Sequence, residues 1–121
     1  MTDGKRDIAI KSLISGLDAH LTDERVLEAV QEFLRAVEYR VEYDSEIIVF
    51  RPDVKVHLLD KALVIDRSWR DGAYMTARAV FDPLPDELGR YSVVSRGGTL
   101  KIIFDLAGNH VDEVYSRNNV L

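Results

Sequence analysis

Apolar residues in the first third of the chain recur every three or four positions, which is the period of an α-helix. Five of them fall on one helical stripe: Ile10, Leu13, Ile14, Leu17 and Leu21. This pattern predicts a first helix that starts near Asp3.

A second helix is predicted from about 23 to 38. The hydroxyl of Thr22 is placed to cap its free N–H groups, and the acidic residues that follow suit the positive end of the helix dipole. Leu21 and Val26 stand at the two positions of a hydrophobic staple. Apolar and charged residues then alternate over 37–43, which indicates a change to the period of a strand.

From position 46 onward, β-branched and aromatic residues are interrupted by turn residues at short intervals, a pattern typical of a β-meander. It predicts seven strands: 46–51, 53–59, 62–69, 73–81, 91–96, 99–105 and 110–116. Four residue pairs predict tight turns between strands: Asp60–Lys61, Asp71–Gly72, Gly97–Gly98 and Gly108–Asn109. The proline-containing segment 82–89 is expected to form a long loop.

Two amphipathic helices followed by a meander predict an α+β fold, with the helices packed on a curved, mainly antiparallel sheet of six or seven strands. We expect one domain over 1–121, mainly helical in 1–40 and a meander in 46–117. The stretch TLKIIFDLAGNHVDEVY, residues 99–115, resembles the last hairpin of cystatin-like and nuclear-transport-factor-2-like rolls. The resemblance implies a sheet wrapped around helices.

The amino-acid composition limits the classes of molecule that we expect this protein to bind. The 16 basic residues are scattered among 21 acidic ones, giving a net charge of −5, so we expect no nucleic-acid partner. The longest apolar runs are four residues, which predicts no membrane partner, and no secretory signal is expected. The absence of cysteine excludes disulfides and thiolate metal sites and is compatible with the cytoplasm.

Motifs for cofactors and metals are also missing from the sequence. The three histidines lack the spacing of common metal-binding motifs, and no glycine-rich phosphate or dinucleotide motif occurs. No nucleophile-elbow motif occurs either. We therefore expect no metal and no cofactor.

Two-residue turns at the predicted positions would place Asp66 diagonally beside His57, next to the small Ala77 and Ala79. An apolar concavity would raise the pKa of Asp66, so this carboxylate is a candidate general base, with His57 as the acid or an orienting group. The alternative is an exposed cross-strand ion pair between Lys55 and Asp66.

The same pairing predicts which face of the sheet forms the core. Leu63, Ile65 and Val80 would share the face that is the better core. Met75 and Phe81 would lie on the opposite face, where the candidate site is expected.

Four further residues are candidates for ligand binding. Trp69 and Tyr74 would form a cross-strand aromatic pair that either supports the hairpin or lines the mouth of a site. Ser68 would share the face of Asp66. Glu113 would lie opposite Phe104, either as a pocket carboxylate or as an exposed residue of an edge strand.

Three hypotheses for function follow. The first is a noncatalytic small-ligand or protein-binding and assembly module, homodimeric through its sheet because the strand at 47–50 is apolar on both faces. The second, implied by the roll resemblance, is a small isomerase, cyclase or hydratase with Asp66 as the base. The third is an acidic regulatory protein whose 82–87 loop docks on a basic surface.

Overall fold

The structure is a computed structural model that describes residues 3–82 and 97–117. Over these ranges the elements are α1 (Asp3–His20), α2 (Asp23–Ala36), β1 (Arg40–Tyr43), β2 (Glu46–Val49), β3 (Val56–Ile65), β4 (Ala73–Phe81), β5 (Thr99–Phe104) and β6 (His110–Ser116). The protein is α+β, with helices packed against antiparallel sheets, as the sequence pattern predicts. Neither α1 nor α2 combines the length and hydropathy needed to cross a lipid bilayer.

Helix α2 begins where the capping signals predict. Thr22 accepts a hydrogen bond from the backbone N–H of Arg25 at 3.1 Å, and the staple residues Leu21 and Val26 are both buried. The helix ends at Ala36, two residues before the predicted end.

Strands β1 and β2 form a separate two-stranded sheet rather than part of one large sheet. Asp44 and Ser45 both take positive φ, 51° and 66°, as a two-residue hairpin turn requires. The hairpin is attached to the main sheet through Phe50, whose ring centroid lies 4.7 Å from that of Phe81.

The main sheet has the order β3-β4-β5-β6, and every neighbouring pair is antiparallel. Strand β3 runs without interruption through Asp60 and Lys61, so the turn predicted there is wrong. Instead, the register shifts between Leu58 and Asp60, which marks a β-bulge at Leu59. Asp60 and Lys61 remain in the strand because each finds an ion-pair partner, on opposite faces of the sheet.

The connection between β3 and β4 spans 66–72 and is longer than the predicted Asp71–Gly72 turn. Of that pair, only Gly72 has a positive φ, 77°. Ile65 therefore lies opposite Ala73, five positions from its predicted partner Arg78. Because five is an odd number, the residues of β4 that were expected on the face of Leu63 and Ile65 lie on the opposite face.

The helices cover the face of β4 and β5 that carries seven buried residues: Met75, Ala77, Ala79, Phe81, Leu100, Ile102 and Phe104. These pack with the apolar stripe of α2. The prediction that Val80 shares a face with Leu63 and Ile65 is therefore wrong, since it follows from the predicted register. Met75 and Phe81 belong to the core.

The helices are also tied to the turn between β5 and β6. Arg25 donates from Nε to the carbonyl oxygen of Gly108 at 3.1 Å, and Nε2 of His20 contacts the carbonyl oxygen of Leu106. The predicted strand at 91–96 and most of the predicted loop at 82–89 lie outside the described residues.

Candidate functional site

The predicted catalytic pair is separated in the structure. His57 lies near the start of β3, opposite Val80, and Asp66 follows the last residue of the same strand. Nine residues at about 3.3 Å each place the two positions roughly 30 Å apart along the strand. The register therefore does not bring Asp66 and His57 together.

The side chain of Asp66 stabilises the β3–β4 connection. Its Oδ1 accepts hydrogen bonds from the hydroxyl of Ser68 at 2.6 Å and from the Ser68 backbone N–H at 3.0 Å. The hydroxyl hydrogen bond is the main reason why the pKa of Asp66 is lowered, whereas a general base was expected to have a raised pKa. His57 pairs instead with Asp82, with 2.6 Å between Nε2 and Oδ1.

Trp69 and Tyr74 are in contact, with ring centroids 4.8 Å apart. They are not directly opposite each other, because Val64 is the partner of Tyr74. The indole N–H of Trp69 is buried and meets no acceptor among the described residues. The aromatic pair thus packs the 66–72 connection against β4.

Glu113 lies on β6 opposite Ile102, and the predicted pairing with Phe104 is wrong. Its Oε2 is 2.6 Å from Nε2 of His110 on the same strand. The side chain is exposed, which fits the edge-strand alternative.

A cleft of about 340 Å³ lies where α1, the start of α2 and β3 meet. Its lining is apolar except for three aspartates and one lysine: Ile14, Leu17, Asp18, Asp23, Val26, Leu58, Leu59, Asp60, Lys61 and Ala77. Sequence reasoning missed this site because it assigned Asp60 and Lys61 to a turn. The signal in the sequence that could have indicated this site is Asp18, a carboxylate beside the apolar stripe of the first helix.

Lys61 is the central polar group of the cleft. Its side chain is only 11% exposed, and Nζ lies 2.8 Å from Oδ1 of Asp18 and 2.6 Å from Oδ1 of Asp23. Burial opposes the charge, but the hydrogen bonds with both carboxylates outweigh it, and the pKa of Lys61 is raised. On the other face, Arg78 forms hydrogen bonds with Asp60 and lowers its pKa.

The outer part of the α1 stripe is uncovered. Leu21 is buried and Leu17 half-buried at the end of the helix nearest the core, but Leu13 is 74% exposed and Ile14 58% exposed. Isolated exposed apolar residues are ordinary, whereas an exposed stretch of a stripe that is buried elsewhere indicates an interaction surface.

Strand β3 continues this apolar surface. Leu59, Leu63 and Ile65 are 50%, 54% and 77% exposed, and Leu59 lines the cleft together with Ile14 of α1. We call the exposed residues of the α1 stripe and the exposed large apolar residues of β3 the α1–β3 surface: Ile10, Leu13, Ile14, Leu59, Leu63 and Ile65.

The two edges of the main sheet differ in charge. Strand β6 carries the exposed acids Asp112 and Glu113, and charged residues on an edge strand prevent pairing with other chains. Residues 62–65 of β3 are Ala-Leu-Val-Ile and carry no charge. Within the described ranges β3 pairs with β4 alone, so among these residues the other side of β3 forms an edge of the sheet.

Strand β2 exposes Ile47 and Val49 in the single chain, and its cover by a second copy stays a prediction. These residues lie opposite Glu42 and Arg40 of β1, and their face is of mixed polarity. Strand β2 is therefore a weaker candidate for an interface than the α1–β3 surface.

Comparisons of the chain with protein-family models, with curated proteins and with solved structures found no match. Within residues 3–82 and 97–117, no three His, Cys, Asp or Glu side chains are grouped to hold a metal ion.

Proposed function

We propose that this protein is a noncatalytic assembly module that forms a homodimer, in which a second copy covers the α1–β3 surface. The observation that carries the proposal is the exposed half of the α1 stripe, which continues through Ile14 and Leu59 to β3, whose residues 62–65 carry no charge. A strand edge without charged residues is an established route to association between chains.

The size of the surface fits a dimer. With about 200 Å² for each fully exposed Leu or Ile, the six residues of the α1–β3 surface expose roughly 700 Å², close to the roughly 800 Å² that each partner contributes to a stable interface of standard size. The surface lies on one helix and one strand of the same chain, so two copies can present it to each other about a two-fold axis.

The positions of the candidate catalytic residues favour a noncatalytic role. Asp66 lies in a turn with a lowered pKa, and His57 is bound to Asp82 at the far end of β3. The acidic 82–87 segment of the third hypothesis lies outside the described residues except for Asp82. The roll resemblance and the curvature of the sheet stay predictions.

The test is light scattering coupled to size-exclusion chromatography over a dilution series. The wild type should elute with the mass of a dimer and dissociate on dilution. Leu13→Ser removes apolar contact from both copies, about 3 kcal/mol in total, and should weaken association more than a hundredfold. Ile47→Ser is the matched control, since Ile47 is 61% exposed but lies on β2.

A wild-type protein that remains monomeric at millimolar concentration would contradict the proposal. Equal loss of association in Leu13→Ser and Ile47→Ser would contradict the choice of surface. Circular dichroism and thermal unfolding of each variant would show that the fold is retained, because both residues are exposed in the monomer.

The cleft supports a second candidate function, the binding of a small ligand. Its volume is at the small end of known ligand sites, and the charges of Asp18 and Asp23 together exceed the single charge of Lys61, while Asp60 is paired with Arg78. The preferred ligand would have a short apolar body and a cationic group. Hexylammonium should therefore raise the melting temperature more than hexanoate does, and Asp23→Asn should reduce the difference. Equal shifts with the two compounds would exclude this preference.

A further inference from the structure

The backbone of β3 determines how a second strand can pair with it. The N–H of Asp66 donates to the carbonyl oxygen of Gly72 at 3.0 Å, so at this position the backbone points toward β4. In an antiparallel ladder the direction alternates with every residue. The backbone groups of Ala62 and Val64 therefore face β4, and those of Lys61, Leu63 and Ile65 face the open edge.

The bulge at Leu59 limits the stretch that can pair. A bulge interrupts the regular ladder and twists the strand, so regular pairing begins after Asp60 and ends with the strand at Ile65. Three residues in this stretch face outward: Lys61, Leu63 and Ile65.

Building on the proposed homodimer, we propose that β3 pairs antiparallel with β3 of the second copy about a two-fold axis at Leu63. Leu63 then lies opposite the partner's Leu63, and Lys61 lies opposite the partner's Ile65. The two four-stranded sheets become one sheet of eight strands.

This register is favoured because it uses all three outward-facing residues. Each of the three resulting pairs exchanges two backbone hydrogen bonds. If the partner were shifted by two residues toward the start of the strand, the bulge at Leu59 would enter the ladder. If it were shifted by two residues the other way, Arg67, which lies beyond the end of the strand, would be opposite Lys61. Either shift leaves fewer regular pairs, while a shift of one residue would bring opposite faces together.

The side chains agree with this arrangement. Leu63 lies opposite Met75, so it points to the side of the sheet that the helices cover. Two Leu63 side chains would meet at the axis. The ammonium of Lys61 is held by Asp18 and Asp23, which leaves its methylene stem to pack against the partner's Ile65.

The chain has no cysteine, so single-cysteine variants can test the register directly. Opposite residues of a hydrogen-bonded antiparallel pair have Cα atoms about 5.5 Å apart, within the range of a disulfide. Leu63→Cys should therefore form a disulfide-linked dimer when oxidised with copper phenanthroline. Leu59→Cys is the matched control, because Leu59 lies on the same strand and is 50% exposed against 54% for Leu63.

In the proposed register the two copies of residue 59 are eight residue spacings apart, roughly 27 Å, so Leu59→Cys should give little linked dimer. Stronger linking through Leu59→Cys than through Leu63→Cys would overturn the register. A wild type that is dimeric by light scattering, with neither variant linking, would overturn strand pairing and leave the homodimer intact. A monomeric wild type would overturn both.

Hydrogen exchange of the wild type provides a second measurement that needs no substitution. The amide protons of Leu63 and Ile65 should exchange slowly in concentrated protein and rapidly after dilution to the monomer. The amide protons of Ala62 and Val64, which face β4, should remain protected under both conditions. Rapid exchange at Leu63 in the dimer would overturn the pairing.

Discussion

Lys61 of β3 and Asp18 of α1 form a 2.8 Å ion pair between two elements whose other contacts here are largely apolar. Asp23 at the start of α2 holds the same ammonium group at 2.6 Å. Three elements therefore meet at one side chain, next to the surface that we assign to the dimer.

Substitutions of Lys61 separate the contribution of its charge to stability from the contribution of its methylene stem. Lys61→Met keeps the apolar packing, and water can solvate Asp18 and Asp23, whose side chains are 62% and 72% exposed. We expect the free energy of unfolding, measured with urea, to change by less than about 1 kcal/mol. Lys61→Glu should lower it by roughly 2 kcal/mol or more, because a nearly buried carboxylate would face two others. Equal losses in the two variants would show that the ion pairs dominate.

Asp105 should make stability depend on pH in the acid range. Its carboxylate accepts hydrogen bonds from the side chain and backbone of Asn109 and from the backbone of Ala107, which lower its pKa from the ordinary 3.8. A lowered pKa in the folded state stabilises the fold at pH values above 3.8, and this stabilisation is lost as the pH falls through the folded pKa.

The comparison of wild type with Asp105→Asn tests this dependence. The difference in their free energies of unfolding should be constant between pH 7 and about pH 5 and should shrink as the pH falls below 3.8. Asp71→Asn, at an exposed position of the β3–β4 connection, is the control. A difference that grows on acidification would contradict the assignment.

Some elements could be predicted from the sequence because several local signals agree. Strands β4 and β6 occur at 73–81 and 110–116, as predicted, since β-branched and aromatic residues fill both and turn residues flank them. The start of α2 was predicted from Thr22 together with the staple of Leu21 and Val26. Each of these signals depends on neighbouring residues alone.

The candidate site could not be predicted because it depends on distant contacts. Asp60 and Lys61 have the composition of a turn, and only their partners Arg78 and Asp18 keep them in β3. The connection between β3 and β4 spans 66–72 and contains the hydrogen bonds between Asp66 and Ser68, where the sequence pattern predicts a two-residue turn. One misplaced turn then changed the register and with it every predicted neighbour of Asp66.

Two glycines should respond in opposite ways to substitution by alanine. Gly98 has φ of 101°, and a Cβ there would overlap the ring of Tyr115, so Gly98→Ala should lower the free energy of unfolding by about 2 kcal/mol or more. Gly16 lies in α1 with open space around it, and Gly16→Ala should raise it by about 1 kcal/mol. Urea unfolding of both variants provides the measurement. Destabilisation by Gly16→Ala would contradict the exposed position of α1.

The acidic residues of β6 should restrict assembly to the dimer. Replacing both Asp112 and Glu113 by Val removes the acids from the β6 edge of the sheet, so that β6 of one dimer can pair with β6 of another. Each dimer has two such edges, so the association does not close and we expect light scattering to show species larger than the dimer. The control replaces Glu24 and Asp71 by Val, which removes the same charge outside the strands. Larger species in the control would show that the loss of net charge causes the assembly. A β6 variant that remains a dimer would contradict the role of Asp112 and Glu113 in preventing pairing at this edge.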